Sequence, residues 1–168
     1  MERRSFIGTT VALGAVALAA QAMAEGGANE GSGGKKGSVL AVSNAQTLTL
    51  MAAVAAAAVD CEEKAAICEQ HCLEKLAEGD TAFAHCSVSV RQTQALCRAT
   101  GALATMKSVY TEGMLDVCAR ACDDCQAACE EHKAHWAHGM HMECKACAEA
   151  CAALSEAVAS LKAGWKLS

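Results

Sequence analysis

Twelve cysteines are the residues of this chain whose type and spacing could carry chemistry. They fall into four runs, within which the steps are three, four, seven or eleven residues. At about 100° per residue, such steps return a side chain to nearly the same face of a helix. The runs are Cys61, Cys68, Cys72; Cys86, Cys97; Cys118, Cys122, Cys125, Cys129; and Cys144, Cys147, Cys151. Thiols at this density, in places where a bundle ordinarily puts Leu or Val, indicate binding of a soft metal.

Three uses of the thiols compete. A disulfide framework fits the even number, but disulfide-rich domains are small and poor in core, whereas this chain has ample helix-forming sequence. Zinc or iron–sulfur binding fits the paired spacings of Cys122 with Cys125 and Cys144 with Cys147. Such sites, however, usually close on turns, and the Cys-Pro of ferredoxin-type runs is impossible in a chain without proline. Cu(I) accepts two or three thiolates and lets a thiolate bridge two ions, so it explains number, spacing and clustering together.

The composition predicts helices around these cysteines. Proline is absent and Ala, Leu, Glu and Lys are frequent, which favours helix strongly. Only five aromatic residues are present, so the core has to be small, aliphatic or sulfur-bearing. No Ser/His/Asp or paired-carboxylate arrangement stands out, and no thiol is distinguished from the others as a nucleophile. We therefore expect a binding protein and not an enzyme.

The N-terminal segment predicts export. Arg3 and Arg4 form a twin-arginine pair, Val11–Ala20 is apolar, and Ala22 to Ala24 offers a small-x-small cleavage site. The apolar run is shorter than the roughly 20 residues that span a bilayer, so we expect no stable membrane insertion. Residues 1–24 are thus predicted to be a twin-arginine-type signal peptide, and the mature protein is expected in the periplasm.

The remaining chain divides into a linker and one domain. Residues 25–42 are Gly-rich and predict a flexible linker, and residues 43–168 predict a four-helix bundle. Loss of Glu2, Arg3 and Arg4 with the leader shifts the formal net charge from −5 to −6, which argues against nucleic acid as a partner.

Four helices are expected in the domain. The first runs from an N-cap at Ser43 or Asn44 to about Leu76–Glu78, with a break possible at its alanine run, and stops at Gly79-Asp80. The others are predicted at 81–107, 114–133 and 143–162, with Gly164 ending the last. Short connections predict an all-α, up-down-up-down four-helix bundle with a cysteine-lined core.

This topology predicts where the cysteines lie in depth. The connections between helices 1 and 2 and between helices 3 and 4 are at the same end of such a bundle, and every cysteine falls in the half nearest that end. The opposite half is free of thiols and apolar. Its expected core residues are Leu48, Met51, Val54, Leu103, Met106, Val109, Leu115, Leu154, Val158 and Leu161.

In these motifs the chain resembles the copper storage proteins. The similarity rests on Cys61-x6-Cys68-x3-Cys72, on Cys86-x10-Cys97 followed by Gly101 to Ala104, and on the cysteine runs of the third and fourth helices. The resemblance implies a helical bundle that binds many Cu(I) ions, on the order of 12 per chain if each thiolate bridges. It also implies self-association and storage without catalysis, and copper would pass to an acceptor protein that the sequence does not identify. A copper chaperone or scavenger that binds few ions is the alternative.

One connection carries further metal ligands. Residues 132–142 hold four histidines and two methionines at the thiol end of the predicted bundle, and imidazole and thioether both bind copper. These residues are His132, His135, His138, Met140, His141 and Met142. They predict a site where copper enters the bundle, with a solvated, pH-sensitive connection as the alternative. His71 and His85, each beside a cysteine, are weaker candidates.

Overall fold

The structure is a computed structural model, and it describes residues 45–166. Within that range the chain forms four α-helices: α1 Ala45–Ala77, α2 Ala84–Thr105, α3 Thr111–Glu130 and α4 Met142–Lys166. Two short 3₁₀ helices, Thr81–Phe83 and Lys133–His138, precede α2 and α4. The predicted signal peptide, linker and N-cap at Ser43 or Asn44 lie outside the described residues.

The helices pack as an up-down-up-down bundle. α1 contacts α2 and α4, and α3 contacts the same two helices, so the four form a closed ring around one core. The prediction of an all-α four-helix bundle is confirmed. Both thiol-end connections contain a 3₁₀ helix, whereas the connection between α2 and α3 is a turn at the opposite end.

Two ion pairs join α1 to α2 and show that the two helices are antiparallel. Glu62 Oε1 lies 2.6 Å from a terminal guanidinium nitrogen of Arg98, and Glu69 Oε1 lies 2.6 Å from the same atom of Arg91. Gln94 Nε2 also donates to Glu69 Oε2 at 2.7 Å. The glutamates are seven residues apart on α1 and the arginines seven apart on α2, as an antiparallel pair requires.

Several helix ends differ from the predicted ones, because single backbone angles determine where a helix begins or ends. The predicted end of α1 is confirmed, since the helix ends at Ala77, before Gly79 with its left-handed φ of 91°, and it is unbroken through its alanine run. The second predicted helix starts as a 3₁₀ turn capped by Asp80, whose carboxylate accepts a hydrogen bond from Ala82 N at 3.1 Å, and α2 ends at Thr105 before the positive φ of Lys107. α3 begins at Thr111 and ends at Glu130, so both of its predicted bounds were about three residues late.

Gly164 does not end α4. The helix continues to Lys166, and Leu50 Cδ1 lies 2.8 Å from the position that a Cβ of residue 164 would occupy. The glycine therefore serves close packing of α1 on α4 and not termination.

The thiol-free half of the core is built mainly from aliphatic side chains of α1, α3 and α4, with Ala104 contributed by α2. Met51 and Val54 of α1, Leu115 of α3, and Leu154 and Leu161 of α4 are buried. Four expected members are not buried. Leu48 and Leu103 are only partly buried. Met106 and Val109 are 60% and 37% exposed, because α2 has already ended and the chain turns outward before α3. Thr47, Thr100 and Thr111 are buried at residues for which the sequence analysis named no role.

Candidate metal centre

All twelve cysteines lie in the interior of the bundle as free thiols. Each is no more than 1% exposed, and every helix contributes at least two. We call the twelve Sγ atoms the thiol column. Their burial follows from the three-, four- and seven-residue spacing, which keeps each run on the inward face of its helix.

The thiol column contains four groups in which every Sγ atom lies within 4.8 Å of the others. Cys68 and Cys147 each belong to two groups, so neighbouring groups share a ligand atom. The groups are Cys68, Cys72, Cys86, Cys144; Cys61, Cys97, Cys122; Cys68, Cys129, Cys147; and Cys125, Cys147, Cys151. Shared thiolates are what an ion cluster with bridging sulfur requires.

The distances between sulfur atoms fit a bound metal better than a disulfide. Cys61 Sγ lies 3.6 Å from Cys151 Sγ, and Cys68 Sγ lies 3.7 Å from Cys144 Sγ. A disulfide is about 2.05 Å long, whereas two sulfurs that each lie about 2.3 Å from one ion are separated by about 4 Å. Metal ions could therefore enter these groups with little movement of the helices.

Hydrogen bonds within the thiol column distribute the protons unevenly. Bonds with Cys129 and then Cys68 lower the pKa of Cys144 to about 4, and bonds with Cys122 and then Cys97 lower the pKa of Cys118 to about 3. In the opposite direction, bonds with Cys125 and then Cys144 raise the pKa of Cys129. Metal ions bind the thiolate form, so ions that enter the column would displace the thiol protons.

Cys118 marks the deep end of the thiol column, farthest along α3 from the connection to α4. It belongs to none of the four groups, although Cys122 and Cys97 lower the pKa of its thiol. Thr100, one turn beyond Cys97 on α2, is fully buried. Its hydroxyl has no hydrogen-bond partner of ordinary geometry among the described residues, yet it is one of the groups that lower the pKa of Cys118, after those two thiols.

Aromatic and imidazole rings cover the other end of the thiol column. Phe83 is buried and stacks on His132, with ring centroids 4.0 Å apart and planes 3° from parallel. The edges of His71 and His141 meet the same phenyl ring at centroid distances of 5.4 and 4.9 Å. His135 contacts His141 at 5.4 Å. We call these five residues the mouth cluster.

Within the mouth cluster, three histidine nitrogens stand out. His71 Nε2 lies 3.0 Å from His141 Nδ1, and Glu143 Oε2 lies 3.7 Å from the other nitrogen of His71. His132 Nε2 is buried without a partner among the described residues. His141 also has a positive φ of 53°, a strained conformation that persists where the surroundings demand it.

The structure brings together only part of the predicted His/Met set. His132, His135 and His141 join the mouth cluster, whereas His138, Met140 and Met142 are exposed on the same connection. His85 is also exposed, and its Nδ1 lies 2.8 Å from Glu131 Oε1. Sequence analysis missed Phe83 and Glu143 and undervalued His71. Phe83 is the only phenylalanine outside the predicted leader, which was the one available signal.

A ring of four helices closed around a column of buried thiols defines a soft-metal-binding helical bundle. The family model described as "Csp: Copper storage protein" matches residues 47–163. The chain therefore belongs to the copper storage protein family.

A solved structure supports the same assignment. It is described as "Copper loading to a cytosolic copper storage protein from Streptomyces lividans (five coppers)". The two chains are 27% identical, with a TM-score of 0.62, over 71% of this chain and 98% of the other. No curated protein matches the chain.

Between residues 45 and 166, no helix combines the length and the apolar character needed to cross a bilayer.

Proposed function

We propose that this protein is an exported store that holds many Cu(I) ions, on the order of 12 per chain, through the thiolates of the column. The observation that carries the proposal is that all twelve thiols are buried and that three of the four close groups are connected through Cys68 and Cys147. The ligands of the store are Cys61, Cys68, Cys72, Cys86, Cys97, Cys118, Cys122, Cys125, Cys129, Cys144, Cys147 and Cys151.

The chemistry of the column supports Cu(I) over zinc. Zinc ordinarily takes four ligands in a closed tetrahedral site and leaves little reason for shared thiolates. Three of the four groups offer three sulfurs, a number that suits a cuprous ion, and a shared sulfur joins one ion to the next. Twelve buried free thiols of similar environment make none of them a distinct nucleophile, which supports the proposal of storage without catalysis.

Copper would reach the column through the mouth cluster. Neutral imidazole nitrogens bind Cu(I), and His71, His132 and His141 present such nitrogens at the thiol end of the bundle. His135 extends this set outward. The exposed His138, Met140 and Met142 provide further soft ligands on the outer side of the same connection, where an ion could first be captured.

The deciding experiment is a titration of reduced, copper-free protein with Cu(I) under anaerobic conditions, against a chelator of known affinity. A store retains about one ion per cysteine. Saturation at one to four ions would instead support a chaperone or scavenger. Zn²⁺ that displaces bound Cu(I) would support a zinc–thiolate protein, and few reactive thiols in protein isolated from its own compartment would support a disulfide-stapled bundle.

Export rests on the leader sequence alone. Replacing Arg3 and Arg4 by lysine should leave the protein in the cytoplasm, whereas the native chain should be recovered, shortened, from the periplasm. Recovery of both proteins from the cytoplasm would contradict export without affecting storage. Self-association and transfer to an acceptor protein are further parts of the proposal, and light scattering of the purified protein tests the first.

A further inference from the structure

The deep end of the thiol column contains an unusual polar group. Thr100 is fully buried, and its Oγ1 makes no hydrogen bond of ordinary geometry to any described residue. Buried hydroxyls are nearly always paired, because an unpaired one loses its bonds to water without replacement. A valine would have the same shape without this penalty, so the copper-free fold does not account for the hydroxyl.

Two other threonines of α2 make hydrogen bonds of kinds that Thr100 does not make. Thr105 Oγ1 donates to the carbonyl of Gly101, one turn back in its own helix, at 2.8 Å. Thr93 Oγ1, two turns from Thr100 on the same face of α2, donates across the core to the carbonyl of Ala121 at 3.0 Å. Both are ordinary solutions for a helical threonine. Thr100 uses neither kind of partner, and its hydroxyl remains available.

The neighbouring acceptor is sulfur. Thr100 follows Cys97 by one turn on α2. The hydrogen bonds from Thr93 Oγ1 to the Ala121 carbonyl and from Thr111 Oγ1 to the Leu103 carbonyl set the antiparallel register of α2 and α3. In this register Cys118 lies within about one helical turn of Thr100 along the bundle axis. Cys118 is also the one cysteine outside the four close groups. A thiolate fixed there by copper would lie in an apolar interior, where Leu115 and Ala104 are buried, and would need a donor.

We propose that the Thr100 hydroxyl donates a hydrogen bond to the Cys118 thiolate once copper is bound, which makes Thr100 a positioning residue for the deepest ions. This inference rests on the proposed Cu(I) storage. It implies that the Thr100 hydroxyl has opposite effects in the two states. The hydroxyl lowers the stability of the copper-free protein and increases copper retention at the deep end of the loaded protein.

The test compares Thr100→Val, Thr100→Ser and Thr93→Val in the full chain, with Cu(I) as the only metal. Thr100→Val should raise the Tm of the copper-free protein by about 4 °C. It should also weaken retention of one or two ions by about tenfold in competition with a chelator. Thr100→Ser keeps the hydroxyl and should retain those ions like the native protein. Thr93→Val loses a satisfied bond and should lower the Tm while retaining copper normally.

A double-mutant cycle locates the effect. In a Cys118→Ala background, adding Thr100→Val should change copper retention no further, because the acceptor is already gone. A Thr100→Val protein that melts lower or fails to fold, or that retains copper like the native chain, would overturn the inference. So would a Thr100→Ser protein as weak as Thr100→Val, or a further loss in the Cys118→Ala background. Failure of the native protein to load more than a few ions would instead overturn the storage proposal.

Discussion

His71 Nε2 and His141 Nδ1 lie 3.0 Å apart, although 70 residues separate them in the sequence. The contact joins α1, one residue before Cys72, to the backbone turn that starts α4, where the His141 carbonyl accepts a hydrogen bond from Cys144 N at 3.1 Å. Glu143 stands 3.7 Å from the remaining nitrogen of His71 and can fix its tautomer. The two histidines thus lie within three residues of Cys72 and Cys144, which belong to one four-thiol group.

Replacing His71 with alanine should slow copper loading several-fold without changing the final number of ions. The reason is that His71 belongs to the mouth cluster, while the thiol column remains intact. Stopped-flow measurement of copper–thiolate absorbance after mixing with Cu(I) gives the rate. His85→Ala is the matched control, since that histidine is exposed and paired with Glu131. Equal rates for the two variants would argue against uptake through the mouth cluster.

His141 should titrate below the ordinary histidine value of 6.5 in the copper-free protein. Burial and then the nearby His71 lower its pKa, with His132 and His135 acting in the same direction and Cys144 opposing them. Below pH 6.5 the unfolded chain binds this proton more readily than the folded one, so folding stability falls as the pH decreases toward the lowered pKa. Imidazole proton shifts in NMR spectra measure the midpoint. In His71→Ala it should move upward, and a native midpoint above 6.5 would contradict the assignment.

Cysteines that belong to two groups should matter more than those in one. Cys147→Ser should remove about two ions from the saturated protein, and Cys151→Ser about one, because Cys147 lies in two close groups and Cys151 in one. Metal analysis after removal of loosely bound copper gives the counts. Both cysteines are buried to the same extent, so the two variants form a matched pair. Identical losses would mean that ions are held independently of these groups.

The thiol-free half should supply most of the stability of the copper-free bundle. Leu154→Ala should lower the free energy of unfolding by about 3 kcal/mol, since the side chain is fully buried. Leu73→Ala, at a site that is 41% exposed, should change it by less than about 0.5 kcal/mol. Urea denaturation of both variants measures this. Copper capacity should be normal in each, and a lost capacity in Leu154→Ala would mean that the two halves are not separable.

Much of the fold was accessible from the sequence because one signal dominated it. Three- and four-residue cysteine steps fix which helix face points inward, and short connections fix antiparallel neighbours. The bounds were less accessible, since they depend on single backbone angles. Lys107 and His141 take positive φ without being glycine, and Gly164 lies inside a helix to admit Leu50. No local sequence pattern predicts these positive φ angles or the position of Gly164 inside a helix.

The candidate site was likewise only partly predictable from the sequence. Each cysteine's burial followed from periodicity, but which sulfurs meet depends on the rotation of four helices about their axes, and pairs such as Cys61 with Cys151 are 90 residues apart. His71 was undervalued because its importance comes from His141, across the bundle. Thr100 carried no sequence signal at all, because only packing reveals that its hydroxyl lacks a partner.

The close sulfur contacts at both ends of the column cross from one helix to another: Cys61 to Cys151 and Cys68 to Cys144 each join α1 to α4, and Cys86 to Cys129 joins α2 to α3. An ion placed at any of them becomes a cross-link between segments far apart in the chain. The number of bound ions would then determine the rigidity of the bundle. The helices of the copper-free protein could separate locally, whereas those of the loaded protein would be held together along half their length. Resistance to proteases and to heat should rise with each ion added, so a cell that clears damaged proteins by unfolding them would spare the filled copies and recycle the empty ones.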